Sequence, residues 1–171
     1  MTRVYLGLGS NIDPEDNLRL AIAELRKRFG AVRLSPVYRS AAVGFDGPEF
    51  LNLVAEIETV IDPAEIHRQL EDIHALAGRE RGCEKYLSRR LDIDMLLYGQ
   101  QCIQAPPVRV PRKDILEYGF VLRPLADLAA DLRHPLSGRT IGEHWQEFDC
   151  DGYPLVRSEL EFMSADSPES N

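Results

Sequence analysis

The chain predicts an α+β fold: an antiparallel sheet with two helices on one of its faces, followed by C-terminal additions. Three observations carry this expectation. Short apolar runs alternate with two stretches whose apolar residues recur at helical spacing. Each of those stretches opens on Asp-Pro and closes on a glycine, so each has its own start and stop signal. The length, 171 residues, suits one domain with a sizeable core.

Val4 to Gly9 reads as the first strand, ending in the loop signal Gly9-Ser10-Asn11. The first helix starts with Asp13 as N-cap and Pro14 at its first position; Leu18, Ile22, Leu25 and Phe29 form its buried stripe and Gly30 closes it. Residues 31 to 38 read as a second strand and Phe50 to Thr59 as a third. Asp62-Pro63-Ala64-Glu65 then supplies a second N-cap with a reciprocal acid three residues on. Ile66, Leu70, Ile73 and Ala77 mark the stripe of this helix, and Gly78 ends it. Leu91 to Tyr98 is the fourth strand. The order β-α-β-β-α-β is the ferredoxin-like arrangement. Beyond Gly99 the expectations are a short strand at Gln101 to Ile103, an irregular proline-rich stretch through Pro106, Pro107 and Pro111, and a helix over Leu122 to Leu132. Residues 1–157 are expected to form one domain, and 158–171 a mobile acidic tail.

The balance of 44% hydrophobic and 28% charged residues is that of an ordinary globular protein. A formal charge of −8 argues against a nucleic-acid or anionic-membrane partner. A basic cluster nevertheless stands out against it: Arg79, Arg81, Lys85, Arg89 and Arg90. Cys83, Cys102 and Cys150 are odd in number and widely spaced, which fits reduced thiols in a cytoplasmic protein. There is no signal-peptide core and no apolar run long enough to cross a bilayer. Nothing suggests a state beyond the monomer.

Asp92 and Asp94 carry the chemistry. Leu91, Ile93, Met95 and Leu97 read as the buried face of their strand, so the two carboxylates share the opposite face with Cα atoms roughly 6.5 Å apart. Carboxylates at that separation can hold one or two hard cations, and Arg89 adds a fixed positive charge close by. Together these are the means of phosphoryl transfer from a nucleotide. The competing reading is a solvated strand face whose acids pair with neighbouring arginines.

Six segments in order decide between the two: Tyr5-Leu6-Gly7-Leu8-Gly9-Ser10-Asn11, Tyr38-Arg39-Ser40, Phe50-Leu51-Asn52, Gly78-Arg79-Glu80-Arg81, Arg89-x-x-Asp92-Ile93-Asp94 and Gly119-Phe120-Val121-Leu122-x-Pro124-Leu125. The chain thereby resembles the 6-hydroxymethyl-7,8-dihydropterin pyrophosphokinase family over roughly residues 3 to 142. The resemblance implies an ATP-dependent diphosphotransferase of folate biosynthesis, which moves diphosphate from ATP to the pterin hydroxymethyl group and releases AMP. It implies that Asp92 and Asp94 bind two Mg²⁺ ions and that Arg79 and Arg89 neutralise the phosphates. Arg81 and Arg112 would add nucleotide contacts, and Arg79 to Arg90 would form a lid. For the pterin it implies Ser40, Asn52 and Phe120, with Tyr86 as a second aromatic face.

Five positions depart from the family's usual residues. Leu87 stands for a glycine, His74 for a glutamate, Arg112 for a histidine, Tyr118 for an arginine and Phe50 for a tyrosine. These keep two alternatives open: a divergent paralogue acting on a related pterin, and a non-catalytic pterin- or nucleotide-binding protein.

Overall fold

The computed structural model describes residues 1–42, 46–78, 91–150 and 154–162. Seven elements give the expected order: β1 (Thr2–Ser10), α1 (Pro14–Phe29), β2 (Val32–Leu34), β3 (Tyr38–Ser40), β4 (Phe50–Thr59), α2 (Pro63–Leu76) and β5 (Asp92–Tyr98). The strands run β5-β1-β4-β3, with β2 also on β4, and every pairing is antiparallel. This is the ferredoxin-like sheet, in which each α-helical crossover skips one strand.

The expected second strand is split in two. Pro36 has no N–H to give a ladder, so regular pairing stops there. Ser35 bridges the gap, donating its N–H to Val54 O (2.9 Å) and accepting Val54 N–H on Oγ (2.8 Å).

Capping follows the sequence only in part. Asp62 Oδ1 accepts the Glu65 N–H at 3.1 Å, as the motif requires. The reciprocal bond is not made, because the Glu65 carboxylate turns to Arg68 and Gln69. Asp13 holds the N-cap position with a left-handed backbone (φ 42°) and makes no side-chain cap bond. Such a φ is tolerated by aspartate, and Asn17 Nδ2 secures the turn instead through Ile12 O at 2.7 Å.

Two apolar clusters flank the sheet. In the first, Leu18, Ile22 and Leu25 of α1 and Ile66, Leu70 and Ile73 of α2 pack on Val4, Leu6, Leu8, Leu53, Ile57 and Ile93. The second covers part of the opposite face and is built by the C-terminal additions. These comprise β6 (Ile103–Ala105) and β7 (Val108–Val110), which form a hairpin, then α3 (Asp114–Glu117), α4 (Gly119–Ala129), α5 (Ile141–Glu147) and β8 (Val156–Arg157). The strand expected at Gln101 to Ile103 thus begins at Ile103, and the stretch expected to be irregular contains β7. The expected helix at Leu122 starts three residues earlier, at Gly119. β8 adds to the β3 edge, and contacts continue past the expected boundary at 157. Ser158 N–H donates to Val37 O (2.8 Å), and Phe162 packs against the first cluster with the Arg19 guanidinium over its ring.

One expected face is wrong. Leu97 does not lie beside Ile93 and Met95; it lies with Tyr5 in the second cluster. The register with β1 shifts between Tyr5 and Leu6, so that Leu97 and Met95 face successive β1 residues and Leu96 is the extra residue of a bulge. A bulge resets the alternation downstream and leaves Asp92 and Asp94, upstream of it, where alternation puts them.

Candidate active site

Among the described residues, the second face of the sheet is covered at one end only. Tyr5, Val54, Leu96 and Leu97 lie under α3, α4 and α5. At the other end that face carries Gly7 and Gly9 of β1, Ser40 of β3, Asn52 of β4, and Asp92 and Asp94 of β5. A cleft of about 530 Å³ opens above them and wraps the β5 edge towards α2 and β7. Its size suits a small ligand.

Strand register leaves room at this end. Asp92 and Asp94 pair with Gly9 and Gly7 across β1, so each carboxylate stands opposite a residue with no side chain. On its other side Gly9 pairs with Asn52. Asn52 Nδ2 donates to Ser40 Oγ at 2.8 Å, and both side chains are buried. Phe120, in the first turn of α4, is half-buried at the cleft and stacked on Tyr118 with ring centroids 5.0 Å apart. A flat heterocycle entering here meets an amide edge, a hydroxyl and an aromatic face.

Burial, and next the charge of Asp92, push the Asp94 carboxyl up to about 7. Arg112 pulls the other way: its Nη1 is 3.6 Å from Asp94 Oδ1 and its Nη2 is 3.4 Å from Asp114 Oδ2. The bulge helps to place this arginine, since the carbonyl of its extra residue, Leu96, accepts the Arg112 N–H at 3.0 Å.

The donor set fits a hard divalent cation. Two repelling carboxylates on one strand face, one of them with its ionisation opposed by burial, gain most from a small ion of high charge. Among the described residues no group of three or more His, Cys, Asp or Glu side chains forms a cage. The pair therefore suits an ion that keeps waters and takes its other ligands from substrate phosphates, the usual habit of Mg²⁺.

Asp92, Asp94, Ser40, Asn52, Phe120 and Arg112 thus meet on one cleft. Arg79, Arg81, Tyr86 and Arg89, the rest of the Arg79 to Arg90 lid, Leu87 and Cys83 lie outside the described residues. Of the other departures from the family pattern, His74 and Tyr118 line the cleft, and so does Phe50. Sequence reasoning missed Gly7 and Gly9, treating Gly9 as the start of a loop. Their alternation in an otherwise apolar strand was the available signal, because a strand glycine marks a close approach. It also missed Asp114 and Glu71, whose roles depend on elements far apart in the chain. His67 lines the cleft as well.

Fold and site together define a ferredoxin-like domain with a ligand-sized cleft over one end of its sheet, beside an acidic pair. The family model described as 7,8-dihydro-6-hydroxymethylpterin-pyrophosphokinase (HPPK) matches residues 5–130. The chain belongs to this family. A 2-amino-4-hydroxy-6-hydroxymethyldihydropteridine pyrophosphokinase of Synechocystis is 36% identical to it over 167 residues, spanning 96% of this chain and 85% of that relative. The protein of the same name in Pseudomonas aeruginosa is 38% identical over 145 residues, spanning 82% and 88%. Among solved structures, wild-type HPPK-DHPS of Plasmodium falciparum superposes with a TM-score of 0.69 at 13% identity, which speaks for the fold. That match covers 85% of this chain and 44% of the other, so this chain spans less than half the length of that protein. No helix among the described residues is long and apolar enough to cross a membrane.

Proposed function

We propose that the cleft is the active site of an ATP-dependent diphosphotransferase, with Asp92 and Asp94 holding Mg²⁺ and the open sheet face holding the pterin. As a family member the chain transfers diphosphate from ATP to the hydroxymethyl group of 6-hydroxymethyl-7,8-dihydropterin, a step of folate biosynthesis. One observation carries the site assignment: both aspartates project over glycines into the cleft that also presents Ser40, Asn52 and Phe120.

In the reaction the pterin hydroxyl oxygen gives up its proton to solvent and bonds to the β-phosphorus, the bond from that phosphorus to the bridging α-phosphate oxygen breaks, and AMP leaves with that oxygen. Two Mg²⁺ ions held by Asp92 and Asp94 would supply charge neutralisation and polarisation along this line. Asn52 offers a donor and an acceptor to the pterin edge and Phe120 a face, which fixes the hydroxyl's approach. Arg112, held beside Asp94 and Asp114, would supply a guanidinium for the nucleotide. Arg79, Arg81 and Arg89 are assigned to the phosphates and Tyr86 to the pterin on the sequence resemblance. The odd, widely spaced cysteines support a cytoplasmic enzyme, and we take it to act as a monomer.

The test is AMP formation by purified protein given ATP, Mg²⁺ and 6-hydroxymethyl-7,8-dihydropterin. AMP is expected only when all three are present; AMP formed without the pterin would refute the assignment.

A further inference from the structure

We infer that His74 is a positioning residue for the aspartate pair: from α2 it clamps the backbone amide of Ile93, the one residue between Asp92 and Asp94. The inference rests on the two-aspartate reading of the site and deepens it.

β5 is the outer strand of its side of the sheet. Its inner edge is taken by β1, and its outward amides need partners from elsewhere. The Ile93 N–H finds one in His74 Nε2 at 2.8 Å. A ring nitrogen that accepts from an amide carries a lone pair, so Nε2 is unprotonated and the ring proton belongs on Nδ1. Nδ1 lies 3.0 Å from Glu71 Oε1, one turn earlier on the same helix. Glu71 therefore orients the imidazole, and the imidazole holds the strand. The His74 side chain is 4% exposed and that of Glu71 54%, so the clamp is buried and only its carboxylate end meets solvent.

A buried histidine with both nitrogens bonded is, in the ordinary case, a satisfied core residue. The position of this bond gives it a further consequence. The peptide that donates the N–H joins Asp92 to Ile93, the one residue between the two carboxylate-bearing positions, so the bond fixes the strand backbone from which Asp92 and Asp94 project. Like the carboxylates that orient metal-bound histidines, His74 acts on the ligands from behind. A neutral imidazole holds this amide without adding charge beside the two aspartates.

The test compares wild type with His74→Leu, which has no acceptor, and His74→Gln, whose side-chain carbonyl can reach the amide. In metal-free protein the leucine variant should speed hydrogen exchange at the Ile93 amide at least about tenfold, with the Leu8 amide of β1 as internal control. It should weaken the Mg²⁺ dependence of binding a non-hydrolysable ATP analogue by about ten- to a hundredfold, as loss of an outer-shell partner does. His74→Gln should restore most of both. Should the leucine variant not fold, ¹⁵N shifts of the wild-type ring decide: Nδ1 protonated and Nε2 bare is expected, and the opposite tautomer overturns the clamp. Asp94→Asn separates the two levels. If it loses Mg²⁺ dependence while folded His74→Leu keeps wild-type affinity, the clamp is refuted and the acidic site stands. If Asp94→Asn keeps it, the site reading fails and the clamp with it.

Discussion

Gly9 and Asn52 face each other across β1 and β4 so closely that a Cβ on Gly9 would stand 2.9 Å from Asn52 Oδ1. The amide is already fixed from its other side by Ser40, which accepts its Nδ2–H. The glycine therefore shapes the cleft by leaving room for the Asn52 amide.

Gly9→Ala should displace the Asn52 amide and weaken pterin binding at least about tenfold, with an overpacking cost to the fold of about 1–3 kcal/mol. A fluorescence titration with the pterin measures the first and urea unfolding the second. Wild-type pterin affinity in a folded variant would exclude Asn52 from the edge contact.

Asp94→Asn keeps the shape of the side chain and removes its charge. Turnover should fall by at least about a hundredfold, on the scale of losing a main electrostatic contact to the reacting phosphates. In steady-state AMP assays at saturating Mg²⁺ a fully active variant would end the metal assignment.

The same carboxyl makes the protein's response to pH predictable in sign. The folded-state value near 7 lies above the ordinary 3.8, so between those values the folded chain binds more protons than the unfolded one. Metal-free protein should therefore lose stability as pH rises from about 4 through 7. Asp94→Asn should lack that part of the decline and be the more stable of the two at pH 8. Mg²⁺ should bind more tightly as pH rises through 7 and release a proton below it. Calorimetry in two buffers of different ionisation enthalpy reads the proton directly, and no buffer dependence at pH 6.5 would contradict the raised Asp94 carboxyl.

Arg112→Ala should raise the KM for ATP about tenfold with a smaller effect on the pterin. Its removal also takes away the cation that holds the Asp94 carboxyl down, so that carboxyl should titrate higher still in the variant. An unchanged KM for ATP would show that the guanidinium serves the carboxylates alone.

Leu122→Ala probes the cover over the sheet's second face. Leu122 is fully buried in the cluster that seats α4 on Tyr5 and Val54, and its truncation should cost about 2–5 kcal/mol in urea unfolding. Because α4 also carries Phe120, the KM for the pterin should rise with it; stability loss alone would mean that Phe120 is positioned by its own turn.

Much of this molecule was open to a reader of the chain. Apolar period and Asp-Pro and glycine punctuation located both helices of the ferredoxin-like unit, and alternation put Asp92 and Asp94 on one face, because these signals are local and repeat every two to four residues. Leu97 escaped the same rule since a bulge is a property of two strands together and leaves no mark on either alone. Asp13 met the compositional rule for a cap and failed the geometric one, as its backbone turned left-handed.

The acidic pair, the amide at Asn52 and the ring at Phe120 were legible as residues of the right chemistry, each belonging to its own segment. That they share one cleft was decided by the sheet order, which sets β1 between β4 and β5 and so lays two glycines between the amide and the carboxylates. The His74 bond to Ile93 and the Arg112 contact with Asp94 were decided in the same way. Both join residues that only the packing of α2 and β7 against the β5 edge brings within reach, and hydrogen bonds and charge pairs act over a few ångströms of space, whatever their separation along the chain.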